Sequence, residues 1–229
     1  VLSRKIKYGT DNMAKGPAMS REEAIKAIEV GIDTVAELKE KGYNVFATGE
    51  MGIGNTTTSS AVCSVLLDQS VEKVTGKGAG LTNKDLEHKI EVIKQSIALN
   101  QVDANDPIDV LSKVGGLDIA GMVGCYIGGA ALQVPVFIDG FISSVAALIA
   151  IRLIPECAPY LFPSHCSNEP AGHLILDAIG KEPYILANMC LGEGTGAVMG
   201  FTIADYAFKA YWELPSFEQT NFGTYEELN

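Results

Sequence analysis

Two glycine-rich segments, each containing one glutamate, most constrain how this chain can fold. The first spans residues 49–57 around Glu50, and the second spans residues 191–196 around Glu193. Each segment leads into a run that favours a helix, and the glycines leave each carboxylate with few neighbouring side chains to shield it. The combination is typical of a site that handles both a phosphate and a proton.

The segment around Glu50 has a clear physical interpretation as an anion-binding loop. Residues 44–48 resemble a buried strand, and residues 57–62 open an apolar helical run. Gly52 and Gly54 let the backbone approach a ligand, while free amides and the positive end of the helix favour a phosphate or carboxylate. The spacing matches neither the dinucleotide-binding nor the P-loop fingerprint, and a purely structural turn is the alternative.

Predicted helices alternate with short apolar strands along the chain. A capping box at Ser20 and Glu23 begins the first helix, which is predicted to stop at Gly42. The other predicted elements are a helix that begins near residue 82, helices over residues 117–132 and 141–153, a strand over residues 134–138, and an amphipathic stretch over residues 205–213. Unbroken apolar strands between helices predict an α/β fold with three layers, α/β/α, around a parallel, Rossmann-like sheet covered on both faces.

Ligands of such sheets bind outside the carboxyl ends of the strands. We therefore expect five loops to gather at one edge, those at Glu50, Gly78, Asp139, Ser164 and Glu193. The helix that begins near residue 82 is predicted to turn Leu86, Ile90, Ile93 and Ile97 inward, with His88, Lys89 and Lys94 on other faces.

The composition fits a globular domain and excludes some classes of function. The 229 residues are 47% hydrophobic, which is enough for one sizeable core. A formal net charge of −11, without a cluster of lysine or arginine, argues against nucleic acid as a partner. No apolar run reaches the roughly 18 residues of a membrane span, so a membrane is not an expected partner either.

The cysteines indicate a reducing compartment. There are five, with no Cys-x-x-Cys pair, which is typical of free thiols in a cytoplasmic protein. A metal site built from Cys166, His165 and His173 is disfavoured, because adjacent residues rarely both bind one ion. We expect neither a metal nor a cofactor.

Four further short segments accompany the glutamate motifs, at residues 76–80, 111–116, 134–141 and 163–167. Together, from about Gly16 to Ala210, these motifs resemble the nicotinate-nucleotide:dimethylbenzimidazole phosphoribosyltransferase family. Members of that family are longer, and the resemblance implies that the N-terminal portion of the family fold lies outside this sequence. It also implies a main α/β domain over residues 1–204, a C-terminal helix and tail of a small helical subdomain over residues 205–229, and a homodimer.

The resemblance implies a glycosyltransferase. Its reaction transfers the phosphoribosyl group of nicotinate mononucleotide to 5,6-dimethylbenzimidazole, which gives α-ribazole phosphate and nicotinate in cobalamin biosynthesis. One alternative keeps the fold and the donor but uses another benzimidazole, a purine or a phenol as the acceptor. The other is a noncatalytic or incomplete subunit that only binds the nucleotide.

The resemblance also implies roles for individual residues. The implied catalytic residues are Glu193 and Glu50. The implied phosphate- and nucleotide-binding residues are Gly52, Gly54, Asn55, Thr56, Gly78, Lys89, Gly115 and Ser167, and the implied base pocket contains Leu191 and Met51. As general base, Glu193 would take the proton of the incoming base nitrogen, with its carboxylate partly desolvated beside a flat ring. The alternative for Glu193 is to satisfy the amides of the following helix, and Glu50 is expected to support the reaction.

Several residues keep a structural interpretation beside the functional one. A lone helix lysine such as Lys89 is more often solvated than bound to phosphate. Lys113 and Gly115 belong either to the anion site or to a corner between two helices. Asp139 is either a pocket residue or the cap of the helix that follows it, and capping is favoured. His165 either bonds a ribose or satisfies a neighbouring carbonyl, and the carbonyl is favoured.

Overall fold

The structure is a computed structural model that describes residues 1–78 and 80–220. Ala79 and the tail residues 221–229 of the predicted subdomain lie outside the described residues. The helices are α1 (Arg21–Glu40), α2 (Asn55–Leu66), α3 (Val71–Val74), α4 (Asn83–Asn100), α5 (Pro107–Val114), α6 (Leu117–Ala131), α7 (Phe141–Leu153), α8 (Gly172–Ala178) and α9 (Thr195–Glu213). The strands are β1 (Phe46–Ala47), β2 (Val136–Ile138), β3 (Leu161–Pro163), β4 (His165–Ser167) and β5 (Ile185–Met189), and 3₁₀ turns span Pro155–Tyr160 and Phe217–Gln219.

All of the strand pairs in the described ranges are parallel. Strands β1, β2 and β3 form one sheet in that order, with Phe46 opposite Val136 and Phe137 opposite Phe162. Strands β4 and β5 form a second pair. Ser164 connects the two sheets, because its amide donates to a carbonyl of β2 and its carbonyl accepts from the first amide of β5. The predicted α/β class with parallel strands is confirmed.

Coverage of the strands differs from the prediction. Strand β2 is fully buried, whereas Val45 beside β1 is 41% exposed and Leu186 in β5 is 75% exposed. The prediction that both faces of the sheet are covered therefore holds for β2, β3 and β4 and is wrong for β1 and β5. Apolar strand residues predict burial from their composition, but the helices in the described residues pack mainly on β2 and β4.

The helix ends follow the local signals in the sequence. Ser20 and Glu23 form the predicted capping box at the start of α1, and the helix ends just before Gly42, whose φ is +94°. Helix α4 begins at Asn83 with the Thr82 hydroxyl accepting from an amide of its first turn. Here the sequence-based prediction is confirmed.

Helix α4 nevertheless presents an unexpected residue to the interior. Lys89 is only 7% exposed, although it was expected on a face away from the core. Lys89 and the buried Ile93 are four residues apart, so they lie one above the other on the same helix face. The inward face was predicted from the apolar residues alone, which is why Lys89 was not expected there. His88 is exposed, as predicted.

Helix α7 is the centre of the core, and α1 packs closely on α6. The first ten residues of α7 are all buried. Glycines allow the backbones of α1 and α6 to touch: a Cβ at Gly31 would lie 2.1 Å from the carbonyl oxygen of Gly121, and one at Gly124 would lie 1.9 Å from that of Ile28. This contact fixes the layer of helices behind the Glu50 loop.

Helix α9 begins against β2 and then leaves the body of the protein. Gly200 lies against the ring of Phe137, and Phe201 meets that ring edge to face at 4.9 Å. The helix is continuous through residue 204, and every side chain of the predicted amphipathic stretch from 205 to 213 is exposed in the described chain. None of the helices within the described ranges is both long and apolar enough to cross a membrane.

Candidate active site

The two glutamate loops lie in direct contact. The amide of Glu193 donates to the carbonyl oxygen of Glu50 at 3.1 Å. A Cβ at Gly49 would lie 2.5 Å from the Gly194 nitrogen, and one at Gly192 would lie 3.0 Å from Oε1 of Glu50. Only glycine allows such close approach of two backbones. The glycines that bracket each glutamate are thus the reason that two distant segments of the chain form one site.

Glu193 has an unusual backbone conformation and an exposed side chain. Its φ is +59°, between Gly192 and Gly194 at +77° each. A non-glycine residue in this region is uncommon and often occurs at functional positions. The apolar neighbours of Glu193, Leu191 and Met51, are themselves 66% and 69% exposed, so within the described residues its partial desolvation beside a bound ring stays a prediction.

Glu50 is the desolvated carboxylate of the pair. Its Oε2 accepts hydrogen bonds from the Gly52 amide and from Nδ2 of Asn55, the latter at 2.6 Å. Burial raises the pKa of Glu50, and these two hydrogen bonds act in the opposite direction. Asn55 also donates to Asp118 at 2.7 Å, so its amide group bridges two carboxylates. The loop therefore holds Glu50 in one orientation.

Asp139 anchors the Glu193 loop. This side chain is 1% exposed and accepts from the amides of Gly194, Gly196 and Ala197 at 3.0, 2.7 and 3.2 Å. It therefore caps α9, and the prediction that it caps the following helix is wrong, since α7 begins at Phe141 after Gly140, which provides no side-chain cap. The negative charge of Asp139 faces the positive end of α9 and offsets it.

His165 packs beneath the same loop. The ring is 2% exposed, its Nδ1 lies 3.0 Å from the Ser164 hydroxyl, and a Cβ at Gly196 would come within 2.0 Å of it. Burial lowers the pKa of His165, and the charge of Asp139 acts in the opposite direction. Its partner is a hydroxyl group, not the carbonyl that the sequence analysis favoured.

A cavity of about 300 Å³ lies between these loops and the start of α2. Eight of the predicted site residues line it: Glu50, Met51, Gly52, Thr56, Gly78, Ser167, Leu191 and Glu193. A second cavity of about 390 Å³ lies on the other side of the Glu50 loop, against α1 and α6, and contains Asn55 and Asp118. The first cavity is the candidate active site, because both glutamates and the predicted anion-binding residues meet there.

The start of α2 borders this cavity without a side-chain cap from its N-cap residue. Gly54 precedes the helix with a φ of +82°, and in the first turn the Thr57 amide donates to the Gly54 carbonyl at 3.2 Å. Lys89 lies behind that turn, where its Nζ donates to Thr56 Oγ1 at 3.0 Å and to the Gly76 carbonyl at 3.1 Å. The free amides of a helix start and a nearby ammonium group together favour an anionic ligand.

Lys89 is a second indication of an anion site, because its charge is buried and its two hydrogen-bond partners are both uncharged. Within the described ranges, no carboxylate lies at salt-bridge distance from Lys89. Burial lowers the pKa of Lys89, and the more distant charge of Glu169 acts in the opposite direction. Burying a cation costs free energy unless a counter-charge compensates, so this position indicates a bound anion.

The other predicted anion-binding residues fall into two groups. Gly78, with a φ of +55°, lies against Thr56, and Ser167 accepts from the amide of Glu169, so both border the cavity. Gly115 does not. It ends α5, and its amide donates to the carbonyl of Leu111, so it forms the corner between two helices, and its predicted role in the anion site is not supported by its position.

Sequence reasoning gave Glu169 no role in the cavity. Glu169 and Cys190 line it, together with residues at the start of α7. Glu169 follows Ser167 by two residues, so the same turn of the chain brings both side chains to the cavity. Across the described residues, no group of three His, Cys, Asp or Glu side chains is arranged to hold a metal ion.

Fold and site together define an α/β protein with a cavity, lined by two glutamates and the start of a helix, at the carboxyl ends of parallel strands. A family model described as "Phosphoribosyltransferase" matches residues 1–222, and the chain belongs to this family. The nicotinate-nucleotide–dimethylbenzimidazole phosphoribosyltransferases of Ruminiclostridium cellulolyticum and Acetivibrio thermocellus are 54% and 53% identical to it over 228 and 226 residues.

A solved structure agrees with this assignment. The crystal structure of CobT from Thermus thermophilus superposes with a TM-score of 0.90 at 33% identity and covers 95% of this chain. The chain spans about 65% of the length of the curated relatives it matches, and 65% of that CobT chain. The family and the fold are thus established for this chain.

Proposed function

We propose that this chain carries the donor half and the catalytic carboxylates of a phosphoribosyltransferase. The donor would be nicotinate mononucleotide and the acceptor 5,6-dimethylbenzimidazole, with nicotinate and α-ribazole phosphate as products for cobalamin biosynthesis. One observation carries the proposal: the two glutamate loops meet over a cavity that also borders the start of α2. Relatives about 50% identical to the chain, with names that state this reaction, support it.

The residues suggest how the reaction would proceed. A benzimidazole nitrogen attacks C1' of the nucleotide, the bond to nicotinate breaks, and the configuration at C1' inverts. Glu193 accepts the proton released from the acceptor ring, while Glu50 orients the ribose or assists. Lys89, Thr56, Gly78 and Ser167 hold the phosphate. Burial raises the pKa of Glu50, which suits a carboxyl group that shares or relays a proton.

One feature favours a second candidate that differs only in the acceptor. The apolar residues around the cavity, Met51, Ile53 and Leu191, are 69%, 81% and 66% exposed. They offer a flat, open apolar wall with few donors or acceptors that would select one ring. Another benzimidazole, a purine or a phenol would stack there as well as 5,6-dimethylbenzimidazole.

Two wider properties belong to the same proposal. We expect a cytoplasmic protein, which is supported by five cysteines that are all free thiols. We also expect a homodimer, following the resemblance to the family.

Incubation of the chain with nicotinate mononucleotide and 5,6-dimethylbenzimidazole tests the proposal directly. Mass spectrometry is expected to find free nicotinate and the α-ribotide in equal amounts. Guanine and a phenol, supplied instead of the benzimidazole, distinguish the two acceptor candidates. Binding of the nucleotide without any product would reject the transferase activity for this chain and favour a subunit that only binds.

Replacing Lys89 with methionine separates a functional lysine from a structural one. We expect nucleotide affinity to fall by about tenfold or more, since a hydrogen bond to a charged group contributes about 1.5–3 kcal/mol. The thermal midpoint should change little, because the loss of the hydrogen bonds to Thr56 and to the Gly76 carbonyl is offset by the removal of a buried charge. Calorimetry and thermal unfolding measure the two effects, and the exposed Lys94 of the same helix, as Lys94→Met, is the control.

The opposite pattern would contradict this assignment of Lys89. If Lys89→Met unfolds at a clearly lower temperature but binds the nucleotide normally once folded, the lysine serves the packing of α2 on α4.

A further inference from the structure

Glu169 places a carboxylate against the backbone that borders the anion site. A Cβ at Gly76 would lie 1.9 Å from its Oε2, so the carboxylate packs directly on that glycine. The Gly78 backbone also favours the ionised form of this carboxylate and lowers its pKa. Gly76 and Gly78 are the same residues that contact Lys89 and Thr56. The half-buried carboxylate and the buried lysine thus both contact Gly76, and Glu169 also lines the cavity.

The charges of Glu169 and Lys89 beside the cavity compensate each other only in part. Burial raises the pKa of Glu169, and the charge of Lys89 acts in the opposite direction. No salt bridge joins the two side chains in the described residues, so the compensation is partial. Glu50, Glu193 and His165 face the same cavity from the other loops. A dianion bound in the cavity would be attracted by the charge of Lys89 and repelled by the charge of Glu169.

We propose that Glu169 is the internal counter-charge of the anion site: it partly neutralises Lys89 when the site is empty and takes up a proton when a dianion binds. This inference rests on the proposed function, since it assumes that the cavity beside α2 holds the phosphate. Glu169 acts through Lys89 and the Gly78 backbone, and it is therefore a positioning residue that sets which charge the site accepts.

The direction of the pH dependence follows from linkage. A bound dianion raises the pKa of Glu169 above its value in the empty site, so binding takes up a proton. Affinity is then greatest below the pKa of the empty site and falls as pH rises through the pKa of the occupied site. Lys89 and His165 add to the same trend, because both lose positive charge as pH rises. The contribution of Glu169 to the pH dependence is the part that disappears when glutamine replaces it.

Sulfate is a suitable probe, because it stays a dianion over the whole range and contributes no titration of its own. We expect wild-type affinity for sulfate to fall as pH rises and Glu169 ionises, and the Glu169→Gln variant to flatten this profile. Where Glu169 is fully ionised, the variant should bind sulfate about tenfold more tightly than the wild type, which corresponds to one unit of pKa shift on binding. Where Glu169 is protonated in the empty site, the two proteins should bind alike.

A control and a second measurement make the test decisive. Glu182→Gln removes one exposed carboxylate outside the cavity and should keep the wild-type profile. Calorimetry of the wild type in two buffers with different ionisation enthalpies should show proton uptake on binding, which does not depend on whether the variant folds. The inference would be overturned if affinity depended on pH equally in Glu169→Gln and the wild type, or if the variant bound sulfate more weakly at high pH. It would also be overturned if binding took up no proton or if sulfate did not bind.

Failure of the proposed function gives a different result. A chain that binds sulfate with the expected proton uptake but forms no α-ribotide would reject the transferase activity and leave the role of Glu169 intact. If the chain forms the product but Glu169→Gln keeps the wild-type pH profile, the transferase activity is supported and the role of Glu169 is rejected.

Discussion

Glu193→Gln is expected to lower the rate of phosphoribosyl transfer by about 10²- to 10⁴-fold, the usual contribution of a positioned general base. The amide is close in size to the carboxylate but cannot accept the proton of the acceptor ring. The Glu193 side chain is exposed, so its replacement should leave the fold and the thermal midpoint unchanged. Nucleotide affinity should also be unchanged, because the anion-binding residues surround the start of α2. Single-turnover kinetics and calorimetry measure the two quantities separately.

Glu50→Gln is the matched comparison, since it makes the same chemical change on the adjoining loop. Glu50 accepts hydrogen bonds from Gly52 and Asn55, and a glutamine oxygen can keep both. We expect a smaller loss of rate, about tenfold, if Glu50 supports the base. A larger loss for Glu50→Gln than for Glu193→Gln would reverse the two roles and make the half-buried carboxylate the base.

The sequence predicted the two glutamate loops because their signals are local. Glycines beside Glu50 and Glu193, followed by helix-forming runs, indicate turns that expose a carboxylate. The same holds for the ends of α1 and α4, where capping residues lie within one turn of the boundary. In each of these cases the residues that determine the structure are neighbours along the chain.

The parts that sequence reasoning missed depend on distant residues. Asp139 caps a helix that begins 56 positions later in the chain, because β2 ends beside the start of α9. Lys89 is buried because Thr56 and the Gly76 carbonyl accept its hydrogen bonds, and neither lies near it in sequence. Gly115 was assigned to the anion site through its motif, but the chain turns there between two helices. Periodicity and motifs carry no information about such partners.

Gly124→Ala is expected to destabilise the protein by about 3 kcal/mol, at the upper end of the cost of overpacking a core. A Cβ there would lie 1.9 Å from the carbonyl oxygen of Ile28 and 2.8 Å from Cα of Gly31. Both contacts are with the backbone of α1, so no side chain can rotate away and the two helices must separate. For a chain of this length the thermal midpoint should fall by roughly 6–12 °C.

Gly121→Ala provides the matched control within the same helix. A Cβ at Gly121 has no atom of the described residues within 4 Å, and its backbone has ordinary helical angles. Alanine should therefore stabilise α6 by up to about 1 kcal/mol through its higher helix propensity. Opposite changes in the two midpoints would show that backbone contact between α1 and α6, and not helix propensity, accounts for the glycine at position 124. Equal midpoints for the two variants would mean that α1 and α6 can move apart at little cost, and the support for the Glu50 loop would have to come from α2 and β1.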